Sequence, residues 1–271
     1  MPELPEVETT LRGVAPHLKG AWVKEVLVRE HRLRWPVPEG LASTLAGMHF
    51  GSPWRRAKYL LFPMMEGPYL LVHLGMSGSL RLVDTGTEWR RHDHIDMALS
   101  SGMSLRYHDP RRFGCLLLVE DPEATPLIAG LGPEPFDSAF DTSWLRTQAK
   151  GKIRSIKSLI MDGRVVVGVG NIYANEALFR AGIRPATSAG SLSARRCQRL
   201  VTAIREVLAA AIAEGGTTLR DFVGAEGQPG YFRQVLAVYE RAGEPCRICG
   251  VSIQSGRILQ RASYWCPRCQ R

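Results

Sequence analysis

The chain has no run of residues long and apolar enough to span a membrane, and no basic segment followed by an apolar stretch at its start, so no signal peptide is predicted. It has no internal repeat and no low-complexity tract. Lysine is scarce: of 35 basic residues, only positions 19, 24, 58, 150, 152 and 157 are lysine. The rest is arginine, whose planar fork suits phosphates and base edges, although a GC-rich genome also enriches it. From Cys246 to the end there are five arginines and no acidic residue. These absences leave a cytosolic, reducing location as the default. In such a location six cysteines are more readily metal ligands or buried thiols than disulfides.

What is present is ordinary for a globular protein: 271 residues, 45% apolar and 23% charged, long enough for two domains. A net charge of +9 points to a polyanionic partner, weakly by itself. Behind an opening helix, residues 1 to about 134 form short apolar or alternating runs: "AWVKEVLVRE", "AKYLLFPM", "YLLVHLGMSGSLRLV", "HIDMALS", "MSLRYHD" and "FGCLLLVE". They predict an antiparallel sandwich or barrel. "LGPEPFDSAFD" reads as a linker. From Ser143 to about Glu214 the period turns helical, in "SWLRTQAKGKIRSIKSLIMDG", "NIYANEALFRAG" and "SARRCQRLVTAIREVLAAAIAEGG". The expected domains are 1–134, 135–235 and 236–271.

Three local features carry chemistry. In "MPELPEVETT", Pro5, Glu6 and Glu8 suit a helix start, and Leu4, Val7, Leu11, Val14 and Leu18 recur at helical spacing with Gly20 as a stop. Pro2 and Glu3 stay unexplained by that reading. "CRIC" at Cys246 and Cys249, with "CPRC" at Cys266 and Cys269, can place four thiolates around one structural Zn²⁺. The strand-like segment between the knuckles predicts a zinc ribbon or hairpin finger, and its charge favours nucleic acid. "VVVGVGNIYANE" fails the dinucleotide fingerprint because Tyr173 stands where the third glycine belongs. It reads instead as a helix start capped by Asn171 that receives a backbone phosphate, with Lys152, Arg154 and Lys157 adding charge; a plain capped helix is the alternative.

"PELPEVET", "RRAKYLL", "HLGMSGSL", "HDHIDM", "DPRRFG", "LGPEP", "GVGNIYANEALF", "GGTTLRDF", "PGYF" and the terminal cysteine pattern resemble the formamidopyrimidine-DNA glycosylase family, in order and along the whole chain. The resemblance implies an α+β multidomain fold: an N-terminal β-sandwich with an N-terminal helix, a helix-two-turn-helix domain and a C-terminal zinc finger. It implies a monomeric enzyme that excises oxidised purines from damaged duplex DNA and nicks the abasic strand, without a small-molecule cofactor. The related endonuclease VIII-like enzymes share the opening Pro-Glu but prefer oxidised pyrimidines; "PELPEVET", "HLGMSGSL" and "DPRRFG" look purine-directed. One departure is Gly151, inside a stretch that is often more basic.

By resemblance, Pro2 is the Schiff-base nucleophile once Met1 is removed, and Glu3 its acid/base partner, with Glu6 the neighbour that could raise its pKa. Alternation sets Lys58 on the strand face opposite Tyr59; the family match makes it a general acid/base in β-elimination. Arg261 matches a finger-tip arginine that assists δ-elimination. Met76, Arg111 and Phe113 match residues that fill the gap left by a flipped base, and His92, Arg111, Lys152 and Asn171 match DNA contacts. The "GQPGYF" loop is expected to cover the flipped base. Two other classes remain open: a non-enzymatic zinc-finger DNA-binding protein, and an N-terminal-proline tautomerase.

Overall fold

The computed structural model describes residues 1–65, 67–216 and 235–271. They divide into two compact units: the described residues of Met1–Ala129 and Glu214–Tyr231 form one, and those of Gly130–Ala213 and Phe232–Arg271 the other.

The first unit opens with α1 (Leu4–Leu18), whose predicted stripe of Leu4, Val7, Leu11, Val14 and Leu18 is buried. Gly20 follows at φ +74°, in the left-handed region where a helix stop favours glycine. Then come β1 (Val23–Val28), the short α2 (Leu41–Leu45), β2 (Trp54–Arg56), β3 (Tyr59–Pro63), β4 (Tyr69–His73), β5 (Ser79–Asp84), β6 (Asp93–Leu99), β7 (Met103–His108) and β8 (Cys115–Val119). They form two antiparallel four-stranded sheets, ordered β1-β6-β7-β5 and β2-β3-β4-β8. Inward residues of both sheets, among them Val26, Leu60, Phe62, Val72, Met97, Leu105 and Leu116, share one core with α1. This is the expected sandwich. The run "YLLVHLGMSGSLRLV" is not one strand. It divides into β4 and β5, on different sheets, and "LGMSG" is the crossing.

The second unit holds α3 (Thr142–Ala149), α4 (Ile156–Ile160), α5 (Asn171–Arg180), a 3₁₀ turn (Ala189–Ser191), α6 (Ala194–Ala213) and the hairpin β9 (Gln254–Ile258) with β10 (Arg261–Trp265). The segment 143–163, read as one helix, is two. Gly151 at φ +69° turns the chain after α3, and Ser155 recaps α4 through its hydroxyl, which accepts the Ser158 amide at 3.2 Å. The stretch read as a linker is pinned to α6: the Arg205 guanidinium donates to the carbonyls of Pro135, Asp137 and Phe140 at 2.7–2.8 Å, and Phe140 is buried. A fork with several donors can hold a carbonyl-rich loop that composition alone marks as free.

Candidate functional site

At the N-terminus, Pro2 and Glu3 stand immediately before α1. Glu3 is the N-cap of α1 in extended backbone, and it forms a capping box with Glu6. The Glu3 amide donates to Glu6 Oε2 at 2.8 Å, and both side chains are buried. Pro2 is buried just ahead of them, acylated by the exposed Met1. Glu6 also faces Gly216, where an added Cβ would come within 3.0 Å of its carboxylate. A normally frayed chain end is thus fixed at its first acidic residue.

Lys58 is not in a strand. Arg56 pairs with Tyr59, so Ala57 and Lys58 form a two-residue turn, with Ala57 left-handed at φ +54°. Strand alternation does not extend to Lys58, because the hairpin reverses the chain just before Tyr59. Arg55 ties this turn to α1. Its Nε donates to Glu8 Oε2 at 2.9 Å, and its Nη1 donates to the Ala57 carbonyl at 2.9 Å. Lys58 lies near His73, whose pKa is pushed down to about 4, first by burial and then by the positive charges of Lys58 and Arg34. His73 Nδ1 accepts the Gly75 amide at 2.9 Å, and its ring stands 4.9 Å from that of Tyr59. The neutral imidazole is therefore the stable form beside the lysine.

Met76, Arg111 and Phe113 sit on two adjacent loops of the same unit. Phe113 is 44% exposed, and the Arg111 guanidinium lies 4.9 Å over its ring. Met76 is half-buried. Taken singly, an apolar residue of either type is more often core, but Phe113 is a surface aromatic. His92 lines a cavity of about 340 Å³ with Arg29, Arg91, His94, Pro110 and Arg112, and its carbonyl accepts the Asp109 amide at 3.0 Å.

In the second unit, the N-cap of α5 is Gly170; Asn171 is the first helical residue. Its Oδ1 is buried with no hydrogen-bond partner among the described residues. Gly168, at φ +81°, makes the turn that precedes the helix. Lys152 is exposed, with its carbonyl held by the Gly190 amide and the Ser188 hydroxyl. Lys157 cannot add surface charge: it is 1% exposed and donates to the Ala262 carbonyl at 2.6 Å and to Ser263 Oγ at 2.7 Å. It anchors the finger hairpin instead.

The four cysteines converge as their spacing predicts, with all ligand atoms within 4.8 Å of one another. Sγ pairs stand 3.4 Å apart for Cys249–Cys266 and 3.9 Å for Cys246–Cys269. A tetrahedral zinc with sulfur at about 2.3 Å needs sulfurs about 3.8 Å apart, so the quartet fits the ion. The amides of Ile248 and Cys269 point at Cys246 and Cys266 sulfur, at 3.5 and 3.4 Å, as thiolates require. Four sulfurs leave no coordination position open, so the ion is structural. Arg261 begins β10 directly after the exposed turn Leu259–Gln260, in which both residues are left-handed at φ +45° and +60°. Neither is glycine, so this fingertip carries backbone strain.

Several residues that build these positions carry no local signal in the sequence. Glu176, whose pKa burial raises against three opposing backbone hydrogen bonds, accepts the amides of Ala237, Val238 and Tyr239. Asn175 Oδ1 accepts the Tyr264 amide, and Gln270 bridges the Cys266 amide to the Ile183 carbonyl. Arg55 was visible only as part of a basic pair. The "GQPGYF" loop lies outside the described residues.

Comparison with known proteins agrees along the whole chain. Residues 1–116 match the family described as the formamidopyrimidine-DNA glycosylase N-terminal domain, 131–223 its H2TH domain, and 243–271 the zinc finger found in FPG and IleRS. A relative from Methylococcus capsulatus named formamidopyrimidine-DNA glycosylase is 60% identical over 272 residues, covering 100% of both chains. A Lactococcus lactis FPG in complex with Fapy-dG-containing DNA is similar at a TM-score of 0.91, 31% identity and coverage of 99% and 100%. A MutM complex with DNA containing carbocyclic 8-oxo-G gives 0.91, 33% and full coverage of both chains.

Proposed function

The chain belongs to the formamidopyrimidine-DNA glycosylase family, and from that membership we propose how its residues excise oxidised purines and cleave the strand left behind. The enzyme is a DNA glycosylase and abasic-site lyase of base-excision repair, with one structural zinc. Its substrates are the lesions held by the related proteins, formamidopyrimidine and 8-oxoguanine in duplex DNA.

Pro2 is the nucleophile. Freed of Met1, its nitrogen becomes a secondary α-amine, and α-amines ordinarily titrate at about 8, far below a lysine, so a nucleophilic uncharged fraction is available near neutral pH. Attack on C1′ displaces the base as an anion, which leaves with the proton given up by the amine nitrogen, so a neutral aminal remains. Glu3 delivers a proton to the sugar ring oxygen, and the ring opens to an iminium that is cationic without protonation. That cation draws electrons from the sugar, so loss of a C2′ proton expels the 3′ phosphate and a second elimination expels the 5′ phosphate. Lys58, held on its turn by Arg55, moves the protons of the first elimination. Arg261 stabilises the phosphate leaving in the second, since a guanidinium keeps its proton. Met76, Arg111 and Phe113 enter the stack where the base has left, and His92, Lys152 and Asn171 hold backbone phosphates.

Cys246, Cys249, Cys266 and Cys269 hold the zinc, which supplies folding energy to the finger rather than a reaction step. We place the domain boundaries at 134/135 and 235/236, and the enzyme in the cytosol as a monomer on DNA. The observation that carries the reading is a buried Pro2-Glu3 pair at a helix start in a chain whose cysteines close a zinc site. Borohydride added during reaction with an 8-oxoguanine duplex should trap a covalent protein–DNA adduct on Pro2, absent in Pro2→Gly and in protein that keeps Met1. An undiminished adduct in either case would overturn the assignment of the nucleophile.

A further inference from the structure

The two loops that carry Met76, Arg111 and Phe113 are neighbours at both ends by topology. Residues 74–78 take the chain from β4 to β5, and residues 109–114 take it from β7 to β8, so each loop crosses from one sheet to the other. At one end, His73 of β4 pairs with Cys115 of β8; at the other, Ser79 of β5 pairs with His108 of β7. Between those ends the backbones touch. A Cβ on Gly75 would lie 2.4 Å from the Gly114 nitrogen, and one on Gly114 would lie 2.4 Å from the His73 carbonyl oxygen.

Asp109 fills the space where the loops meet, fully buried and with both oxygens engaged. Its Oδ1 accepts the Ser77 hydroxyl of the first loop at 2.7 Å and the Arg111 amide of its own loop at 3.3 Å. Its Oδ2 accepts the Gly114 amide at 2.9 Å and the Tyr107 hydroxyl at 3.2 Å. Ser77 Oγ in turn accepts the Arg111 amide at 3.2 Å. The Asp109 carbonyl accepts His94 Nε2 and the Arg112 amide, and its amide is held by the His92 carbonyl. Arg112 is kept left-handed at φ +55°, a conformation that persists only where its surroundings over-determine it. Arg111 and Phe113 therefore project to the surface from a rigid, buried polar base.

We propose that Asp109 is a positioning residue for lesion recognition, locking the Met76 loop and the Arg111–Phe113 loop into one preformed probe. The proposal rests on the reading of those three side chains as gap-filling groups. A probe ordered before it meets DNA loses little entropy on entering the stack, and its two loops enter in fixed register. The carboxylate suits this task because it only accepts, and every group around it donates. Asparagine at this position keeps the shape but turns two N–H bonds toward donors that cannot all turn away.

The test measures single-turnover excision of 8-oxoguanine from duplex DNA, opposite cytosine and opposite adenine, by wild type and Asp109→Asn. Strand cleavage at an abasic site in single-stranded DNA is measured alongside, because it needs the Pro2 chemistry but leaves no stacked gap to fill. Asp109→Asn should slow duplex excision on the order of 10- to 100-fold, the usual result of displacing groups from productive geometry. It should also change the ratio between the two opposite bases and leave single-strand cleavage at the wild-type rate. Added to Met76→Ala/Phe113→Ala, it should cause a smaller further loss than in wild type, since of the three groups it positions only Arg111 remains. Ser77→Ala, which deletes one donor, should show the same pattern more weakly and keeps the test alive if Asp109→Asn fails to fold. Equal loss in both backgrounds, or equal loss on single-stranded abasic DNA, would overturn the positioning role. Wild-type duplex excision by Met76→Ala/Phe113→Ala itself would instead overturn the gap-filling reading beneath it.

Discussion

His73 shows how one buried group couples stability to pH beside a proposed catalytic lysine. Its pKa lies at about 4 against an ordinary 6.5, lowered first by burial and then by Lys58 and Arg34. A histidine with a depressed folded pKa binds its proton more readily in the unfolded chain. Stability therefore falls as pH drops from about 6.5 to 4, and is at its full value above that window. Protonation of Nδ1 would also break its bond from the Gly75 amide. The midpoint of thermal unfolding should decline between pH 7.5 and 5 in wild type, and decline less in His73→Gln. A parallel decline in the two proteins would remove His73 as a source.

Among elements, the hairpin that carries Lys58 and the one that carries Arg261 are each tied to a helix by one basic side chain, Arg55 of β2 reaching out to α1 and Lys157 of α4 reaching in to β10. Arg55 spans Glu8 of α1 and the Ala57 carbonyl, so the helix bearing Pro2 and the turn bearing Lys58 move together. Arg55→Lys keeps the charge but lacks the fork that reaches both acceptors. It should slow β-elimination about 10-fold while the borohydride adduct still forms, because a displaced acid/base group costs rate without removing the nucleophile. Rapid-quench separation of adduct formation from strand cleavage would check this.

Lys157 acts on the other hairpin, reaching from α4 to Ala262 and Ser263. Lys157→Met would strip the donor from the half-buried Ala262 carbonyl and leave buried Ser263 Oγ with its 3.3 Å bond to the Arg261 carbonyl, at a cost of about 1–3 kcal/mol. The expected outcome is a lower unfolding temperature by calorimetry and faster zinc release to a colorimetric chelator, with the single-strand lyase reporting on Pro2.

For the whole molecule, net charge and the zinc finger are expected to set DNA affinity. The chain carries net charge +9, mostly as arginine, so binding should weaken steeply with salt, with a log–log slope of about −0.9 for each phosphate neutralised. The finger is not a satellite of its unit. Cys246 and Cys266 share an apolar cluster with Phe179 of α5, Val238 and Ile253, and Glu176 of the same helix grips the amides of 237–239. Chelating the zinc should therefore abolish duplex binding and also loosen the C-terminal end of α5, read as faster amide exchange there. Undiminished binding by metal-free protein would exclude the finger from the DNA contact.

Legibility in the sequence followed the range of the interactions. The helix stripe of α1, the strand runs and the cysteine knuckles are local patterns, in which neighbouring residues face one side or one ion because of backbone periodicity. They fixed the sandwich, the zinc ligands and the helical region, but not the break between α3 and α4 at Gly151. Long contiguous motifs fixed the family. Lys58 on a turn rather than a strand, Gly170 rather than Asn171 as the cap, and Lys157 buried rather than exposed were decided by tertiary structure. Each depends on where a distant carboxylate, carbonyl or helix lies. Asp109 is the clearest instance. In the sequence it is one acidic residue before a proline; in the fold two sheet crossings meet around it, and only that meeting gives a buried carboxylate four donors.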